Sequence, residues 1–403
     1  MKSVQEPVYS VAQIKRFIYL KEIFFLSIAA FGGPGAHLNA IIQRFVKKRN
    51  YLSEAELLEM YSFCQLLPGP TSTQMIMALG MKLGGPLLGI VGLVIWILPA
   101  FILMLALVLG LSLAGARNID THFLRFIPAM AVGFIAAASV QMFRLMQANN
   151  TSRLLYFLGA AAAITIRSPW VFPIVLLVGG GISRLLNREE FPPHKPKIRP
   201  NWKLFGLFAG ILILTSVVGN LFQNKPVLLF QNSYQFGSIV FGGGNVLIPM
   251  MFKQYVSHKH YLDAETFVLG VGMLQAMPGP VFSISTFANA MALSDMGMSG
   301  QVLGAILGTV GIFLPGILIM MIIFPIWTEM KQMPLYKKSI EGIASVSAGL
   351  VLAAAYLLLV NLEWDQGLIF IPIFSIMALV LFTKIPPPVL VFATLICGWL
   401  LPL

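Results

Sequence analysis

The chain has 403 residues, of which 58% are hydrophobic and only 10% charged, with a formal net charge of +12. Soluble domains carry about a quarter charged residues, so this composition excludes a soluble globular fold. In so apolar a chain the basic surplus reads as loop sidedness in a membrane, not as a nucleic-acid surface.

In chain order, the first twelve residues are polar and mixed, with no short apolar core before a small-residue cleavage site. No cleavable signal peptide is therefore expected. Basic residues cluster at Lys2, Lys15, Arg16 and Lys21, at Arg44, Lys47, Lys48 and Arg49, and along 184–203. The positive-inside bias puts all three clusters, and so the N-terminus and the 187–203 linker, on the cytoplasmic side of a cell membrane. None of them interleaves the aromatics that would stack bases. Runs near the ~18–20 apolar residues that cross a bilayer occur at 87–113, 126–142, 204–218 with its flanks, 302–326 and 343–360. An all-α polytopic membrane protein is expected. Cys64 and Cys397 both stand among apolar residues and are expected as buried thiols without a redox or metal role.

The pattern then repeats itself. From Phe31 and Phe241 the two halves align without a gap for 40 positions at an offset of 210, and ten of these are identical. Phe31-Gly32-Gly33 matches Phe241-Gly242-Gly243, Tyr51-Leu52 matches Tyr261-Leu262, and Gln65 matches Gln275. Pro68-Gly69-Pro70 matches Pro278-Gly279-Pro280 and, after a six-residue insertion, Leu98-Pro99 matches Leu314-Pro315. Each half reads as two broken or re-entrant helical hairpins, turning at Phe-Gly-Gly and Pro-Gly-Pro, and then about four spans. These are centred near 98, 134, 160 and 177 and near 313, 351, 374 and 394. The expected division is a first repeat at 1–190, a basic linker and joining helix at 191–222, and a second repeat at 223–403. If the hairpins re-enter on the side they left, five crossings separate equivalent points. Five is odd, so the second repeat is expected upside down, as in many secondary transporters.

Pro-Gly-Pro ends any helix that meets it, because proline lacks an N–H and clashes with the preceding turn. Broken backbone at membrane depth is tolerated only against protein or a water-filled cavity. The free amides of a helix start, at its positive dipole end, suit an anion. The first break offers Gln65, Pro68, Gly69, Pro70, Thr71 and Ser72, with Thr73 and Gln74 behind them. The second offers Gln275, Pro278, Gly279, Pro280 and Ser283, followed by Ser285 and Thr286. The glycine turns add Gly32, Gly33, Gly35 and His37 in one copy and Gly242, Gly243, Gly244 and Asn245 in the other. Lys82, at the far end of the helix after the first break, is the candidate for a full positive charge. His37 reads equally as a donor to the anion or as a structural histidine.

Ahead of the first break, Glu54 reads as a capping-box acid after Ser53. Glu56 and Glu59 read as coupling acids or as solvated loop positions. Packing kinks are the competing reading of the breaks themselves. Gly85/Gly89, Gly206/Gly210 and Gly300/Gly304/Gly308 carry the small-residue spacing of packed membrane helices. Donors outnumber acceptors at the breaks, which favours an unprotonated oxyanion such as sulfate or chromate over phosphate. No metal-ligand motif, nucleophile–base pair or phosphate loop occurs, so neither a cofactor nor an enzyme is expected.

Two copies of Phe-Gly-Gly, Gln-x-x-Pro-Gly-Pro and Leu-Pro resemble the chromate ion transporter family in its long two-domain form. The match runs through FGGPGAHLNAIIQRFVKKRNYLSEAE, QLLPGPTSTQ, GMKLGG and LPAF in the first half. It continues through FGGGNVLIPM, YLDAETF, QAMPGP and LPG in the second. The resemblance implies a secondary transporter that exports chromate, with sulfate as its mimic, and so confers chromate resistance. A sulfate uptake carrier and an anion channel are the alternatives. A dianion leaving an inside-negative cell gains about 4.6 kcal/mol per 100 mV, twice the value for one charge. Asp295 near the second-copy position of Lys82 makes the halves unequal, which favours one shared site over two. The implied partners are the small oxyanion and the lipid bilayer, with a homodimer left open and nucleic acid excluded.

Overall fold

The computed structural model describes residues 11–31, 33–65, 67–116, 122–145, 150–166, 171–186, 201–240, 244–327, 334–360, 370–383 and 385–400. Every regular element among them is a helix. The first half holds α1 (Val11–Ala29), α2 (Gly33–Ile41) with a π-helical continuation (Ile42–Lys48), α3 (Glu54–Gln65) and α4 (Thr71–Gly84). The long helix α5 (Pro86–Ala116) and then α6 (Ile127–Leu145), α7 (Asn150–Thr165) and α8 (Val171–Leu186) complete it. After α9 (Trp202–Phe222) the series starts again. It runs α10 (Lys225–Ile239), α11 (Gly244–Met251) with its own π-helical continuation (Phe252–His258), α12 (Ala264–Leu274), α13 (Ile284–Ala292) and α14 (Gly297–Ile323). The last elements are α15 (Pro334–Val360), α16 (Phe370–Phe382) and α17 (Pro387–Leu400). Five helical stretches, Pro86–Gly115, Ile127–Arg144, Trp202–Phe222, Ser294–Ile326 and Glu341–Val360, are long and apolar enough to cross a membrane. They fall on the five apolar runs of the sequence.

Backbone shape recurs more faithfully than side chains do. Both short second helices widen into seven-residue π-helical turns at the same offset. Both turns end at a non-glycine residue of positive φ, Asn50 and His260, each at 50°. Gly69 and Gly279 take φ of 117° and 108°, a region closed to most residues with a Cβ.

Ion pairs tie helix ends together in both halves. Lys82, at the end of α4, pairs with Glu56 near the start of α3. Lys225 at the start of α10 reaches Asp295, just beyond α13, at 3.1 Å. Ser53 Oγ accepts from the Glu56 amide at 3.2 Å, so Glu56 and not Glu54 holds the capping-box position. The box spacing counts from the cap residue, and Ser53 is that cap. In the second copy Asp263 does the same work, accepting from Thr266 N at 2.7 Å. Cys64 is buried as expected, but Cys397 is exposed on α17 beside exposed Ile396 and Trp399. Apolar neighbours on a membrane helix do not imply burial in protein.

Two of the three small-residue runs pack within the chain. A Cβ on Gly304 or Gly308 of α14 would lie 2.2 Å from the Asn289 carbonyl oxygen or 2.3 Å from that of Ser285, so α13 rests directly on α14. A Cβ on Gly89 would meet Met77 O at 2.7 Å, the matching contact of α5 with α4. A Cβ on Gly206 or Gly210 of α9 would meet no neighbouring atom within 4 Å, so the chain itself leaves that run open.

The two hairpin cores differ in chemistry on one backbone plan. In the second half Ser233, Tyr255, Ser285 and Asn289 form a closed buried network. Asn289 Nδ2 donates to Ser233 Oγ at 3.0 Å and to Ser285 O at 2.7 Å, and Tyr255 OH donates to Asn289 Oδ1 at 3.2 Å. At the same offset the first half has Ile23, Phe45, Met75 and Leu79, all fully buried. Asn289→Leu alone strands the remaining polar groups, each at about 1–3 kcal/mol, and is expected to lower the melting temperature. Converting all four positions to their first-half counterparts is expected to restore most of that loss. A quadruple variant less stable than the single one would contradict this account of the network.

Candidate functional site

The two Pro-Gly-Pro breaks meet the opposite half of the chain. Gly69 N donates to Val240 O at 2.7 Å, and Gly279 N donates to Ala30 O at 3.0 Å. Ala30 and Val240 are equivalent residues, each just ahead of a Phe-Gly-Gly turn, so the exchange is reciprocal. Neither break glycine offers a free amide. Each instead fastens its break to the other half's first hairpin.

The long proline-containing helices complete the enclosure. A Cβ on Gly316, next to Pro315 of α14, would lie 3.7 Å from Gln74 Nε2 and 3.8 Å from Pro70 Cδ of the first break. A Cβ on Gly279 would lie 3.0 Å from Ala100 Cβ, next to Pro99 of α5. Each break therefore sits against the proline-containing span of the opposite half, and α5 and α14 also touch one another. A side chain at Gly69 would be strained by its φ of 117°, and a Cβ there would displace Gln74 Nε2, 2.9 Å away.

Helix α4 starts at the first break with unusual polarity. Thr71, Ser72, Thr73 and Gln74 are all buried. Its cap is Pro70, which supplies no side-chain acceptor, and the first intrahelical bond runs from Gln74 N to Pro70 O at 2.9 Å. The amides of Thr71, Ser72 and Thr73 are the orphan donors of this helix start. Thr73 Oγ1 and Gln74 Oε1 are buried without a partner, while Gln74 Nε2 donates to Pro68 O at 2.6 Å.

His37 of α2 stands edge-on to Trp96 of α5, with ring centroids 5.1 Å apart. The imidazole lies beside the Ala30 carbonyl that receives the Gly279 amide, but neither ring nitrogen meets hydrogen-bond geometry. Trp96 Nε1 is likewise buried and unpartnered. His37 reaches the second break through the Ala30 carbonyl, and Trp96 follows by its ring contact with His37 and by a backbone carbonyl 3.9 Å from a Cβ on Gly279.

The structure thus brings together Gly69, Pro70 and Gln74 with α14, and Gly279 with α5 and with Ala30 just beyond α1. Ser283 is buried at the start of α13, with its amide bonded to Pro280 O at 3.0 Å. Gln275 caps α12, and Gly33, Gly35 and Gly244 lie in the first turns of α2 and α11. Lys82 is not at the breaks. It lies eleven residues along α4 from Thr71, about 16 Å at the helical rise, and its charge is taken by Glu56. Glu56 is exposed there as an ion-pair partner. Gly32, Gly242 and Gly243 lie outside the described residues, as do the side chains of Glu59, Gln65 and Asn245.

Trp96, and the crossed carbonyls of Ala30 and Val240, are contacts that local pattern did not point to. A tryptophan three residues before Pro99 was the available signal. Buried Lys253, also unforeseen, bonds the Ala163 and Ile166 carbonyls at the end of α7 under the Phe172 ring.

Apolar spans around paired helix breaks lined by unsatisfied polar groups define a multi-pass membrane protein of transporter type. The family model for chromate transporters matches residues 19–184 and 227–399, so the chain belongs to the chromate transporter family. A probable chromate transport protein of Synechococcus elongatus is 27% identical over 97% of this chain and 96% of its own length. An uncharacterised transporter of Methanocaldococcus jannaschii is 24% identical over 93% and 92%. A chromate transport protein of Cupriavidus metallidurans is 23% identical over 97% and 93%. No solved structure matches the chain.

Proposed function

We propose that the chain exports chromate, and equally shaped dianions such as sulfate, across the cytoplasmic membrane through one site between its two breaks. Relatives named as chromate transport proteins supply the substrate class. One observation carries the reading: His37, Thr73 and Trp96 keep buried donor groups without partners beside the breaks. An unsatisfied buried group costs about 1–3 kcal/mol, and a ligand that meets several at once removes that penalty. Thr73 O–H, Trp96 N–H, one N–H of neutral His37 and the three first-turn amides of α4 are all donors. A fully ionised tetrahedral oxyanion accepts from each and donates nothing in return.

The architecture supports this reading as two repeats, 1–190 and 223–403, joined through 191–222, with the second inverted. Helices α5 to α9 give an odd number of crossings between equivalent points. The reciprocal bonds of Gly69 and Gly279 are what a two-fold relation between repeats would produce. The basic N-terminal third then faces the cytoplasm, and the membrane potential drives a dianion outward. Cells expressing the chain are expected to accumulate less labelled chromate than cells without it, and to grow at higher chromate. Greater accumulation would reverse the direction, and equal accumulation would remove the substrate.

A further inference from the structure

The base of the first hairpin holds a second cluster that the break site does not use. Glu22, in the middle of α1, is buried, with its side chain only 4% exposed. Arg44 Nη1 donates to its Oε2 at 2.7 Å, and Arg49 donates to its Oε1 through Nε at 2.8 Å and through Nη2. The two arginine side chains are 28% and 30% exposed, on the turn that also carries exposed Lys47 and Lys48. Two arginines thus share one carboxylate, which leaves one positive charge in excess. The Tyr51 hydroxyl in the same turn is buried and has no partner.

The second half is a built-in comparison. At the same offset Glu22, Arg44 and Arg49 become Asn232, Gln254 and Lys259. Gln254 Nε2 still donates to Asn232 Oδ1 at 3.2 Å, and Tyr261, the counterpart of Tyr51, lies beside Asn232. The turn closes in the same way too, with Arg49 N to Arg44 O at 3.0 Å and Lys259 N to Gln254 O at 2.9 Å. The hairpin shape therefore does not require the charges.

We infer that Arg44, Arg49 and Tyr51 form a loading site for a dianionic tetrahedral oxyanion, which Glu22 occupies as a tethered stand-in. Its carboxylate bridges the two guanidiniums as an oxyanion edge does, and forked arginine donors are matched to that geometry. An incoming dianion brings twice the charge of the carboxylate and an extra oxygen for Tyr51. The second hairpin lacks the cluster, so loading is strong from the face at the base of the first hairpin and weak from the other. This rests on the transport reading above and adds to it a sided step ahead of the breaks.

The test is labelled-sulfate flux by the full chain in vesicles of single orientation, with substrate on one face or the other. Arg49→Gln is expected to raise KM by about tenfold or more from the first-hairpin face, because one of the two guanidiniums is lost, with kcat within about twofold. From the opposite face KM is expected to stay unchanged. The triple variant Glu22→Asn, Arg44→Gln, Arg49→Lys carries residues that already build the second hairpin, and it is expected to show the same one-sided rise. Normal wild-type flux with KM unchanged in both variants, or raised equally on both faces, would overturn the loading site while leaving the transport reading intact. A fall in kcat alone would assign the cluster to hairpin stability instead. A wild-type chain that moves neither sulfate nor chromate would remove both readings together.

Discussion

Gly69→Val is expected to abolish oxyanion flux while the chain still inserts in the membrane. Its φ of 117° costs a β-branched residue on the order of 1–2 kcal/mol or more, and the new Cβ would press on Gln74 Nε2 at 2.9 Å. Relief of that strain moves the Gly69 amide off Val240 O and shifts the start of α4 with it. A displacement of about 1 Å at a positioned site can reduce a rate by about a hundredfold. Gly279→Val is expected to act alike, through Ala100 and the bond to Ala30 O. Replacing Pro68-Gly69-Pro70 by three alanines removes the break itself and is expected to leave no flux. Flux assayed beside detergent-solubilised monodispersity separates these outcomes from misfolding, and full activity in the triple-alanine variant would reduce the break to a packing kink.

Thr73→Val and Trp96→Phe are expected to cut flux by about tenfold to a hundredfold each, with a melting temperature unchanged or raised. The sign of the stability term is the informative part. Removing a partnered polar group strands its partner, whereas removing an orphan strands nothing and ends its own desolvation penalty. Thr286 supplies the contrast, because its hydroxyl bonds that of Thr309 at 2.7 Å. Thr286→Val is expected to lower stability, leaving Thr309 to its bond with Ala305 O. If Thr73→Val destabilised the chain as much as Thr286→Val, the orphaned hydroxyl would be structural.

Much of the plan is written in glycine and proline. The five long spans, the offset of 210 and the helix breaks are local matters, set by runs of apolar residues and by backbone-restricting residues, and so they can be read along the chain. The crossed bonds of Gly69 and Gly279 are not local. They join residues far apart in sequence, and a pattern that marks where a helix breaks carries no sign of which carbonyl its amide will find. The same holds for Glu22, which reads as one charge on an apolar helix until Arg44 and Arg49 close on it. Lys82 is the converse case. A lone cation on the helix after a break suggests an anion partner, yet α4 carries it away from the break and back to Glu56. Trp96 was hidden by composition, since an aromatic in an apolar span looks like packing until its indole N–H is found without an acceptor.

Donors left unpaired at the breaks are expected to bind and pass a dehydrated oxyanion. Labelled chromate flux in proteoliposomes, run with and without sulfate on the opposite face for the wild-type chain and Thr73→Val, tests it most directly. The expected result is saturable wild-type flux, accelerated by opposing sulfate and nearly absent in a Thr73→Val protein of unchanged stability. Wild-type rates in Thr73→Val, or no chromate flux in the wild type under either condition, would contradict the account.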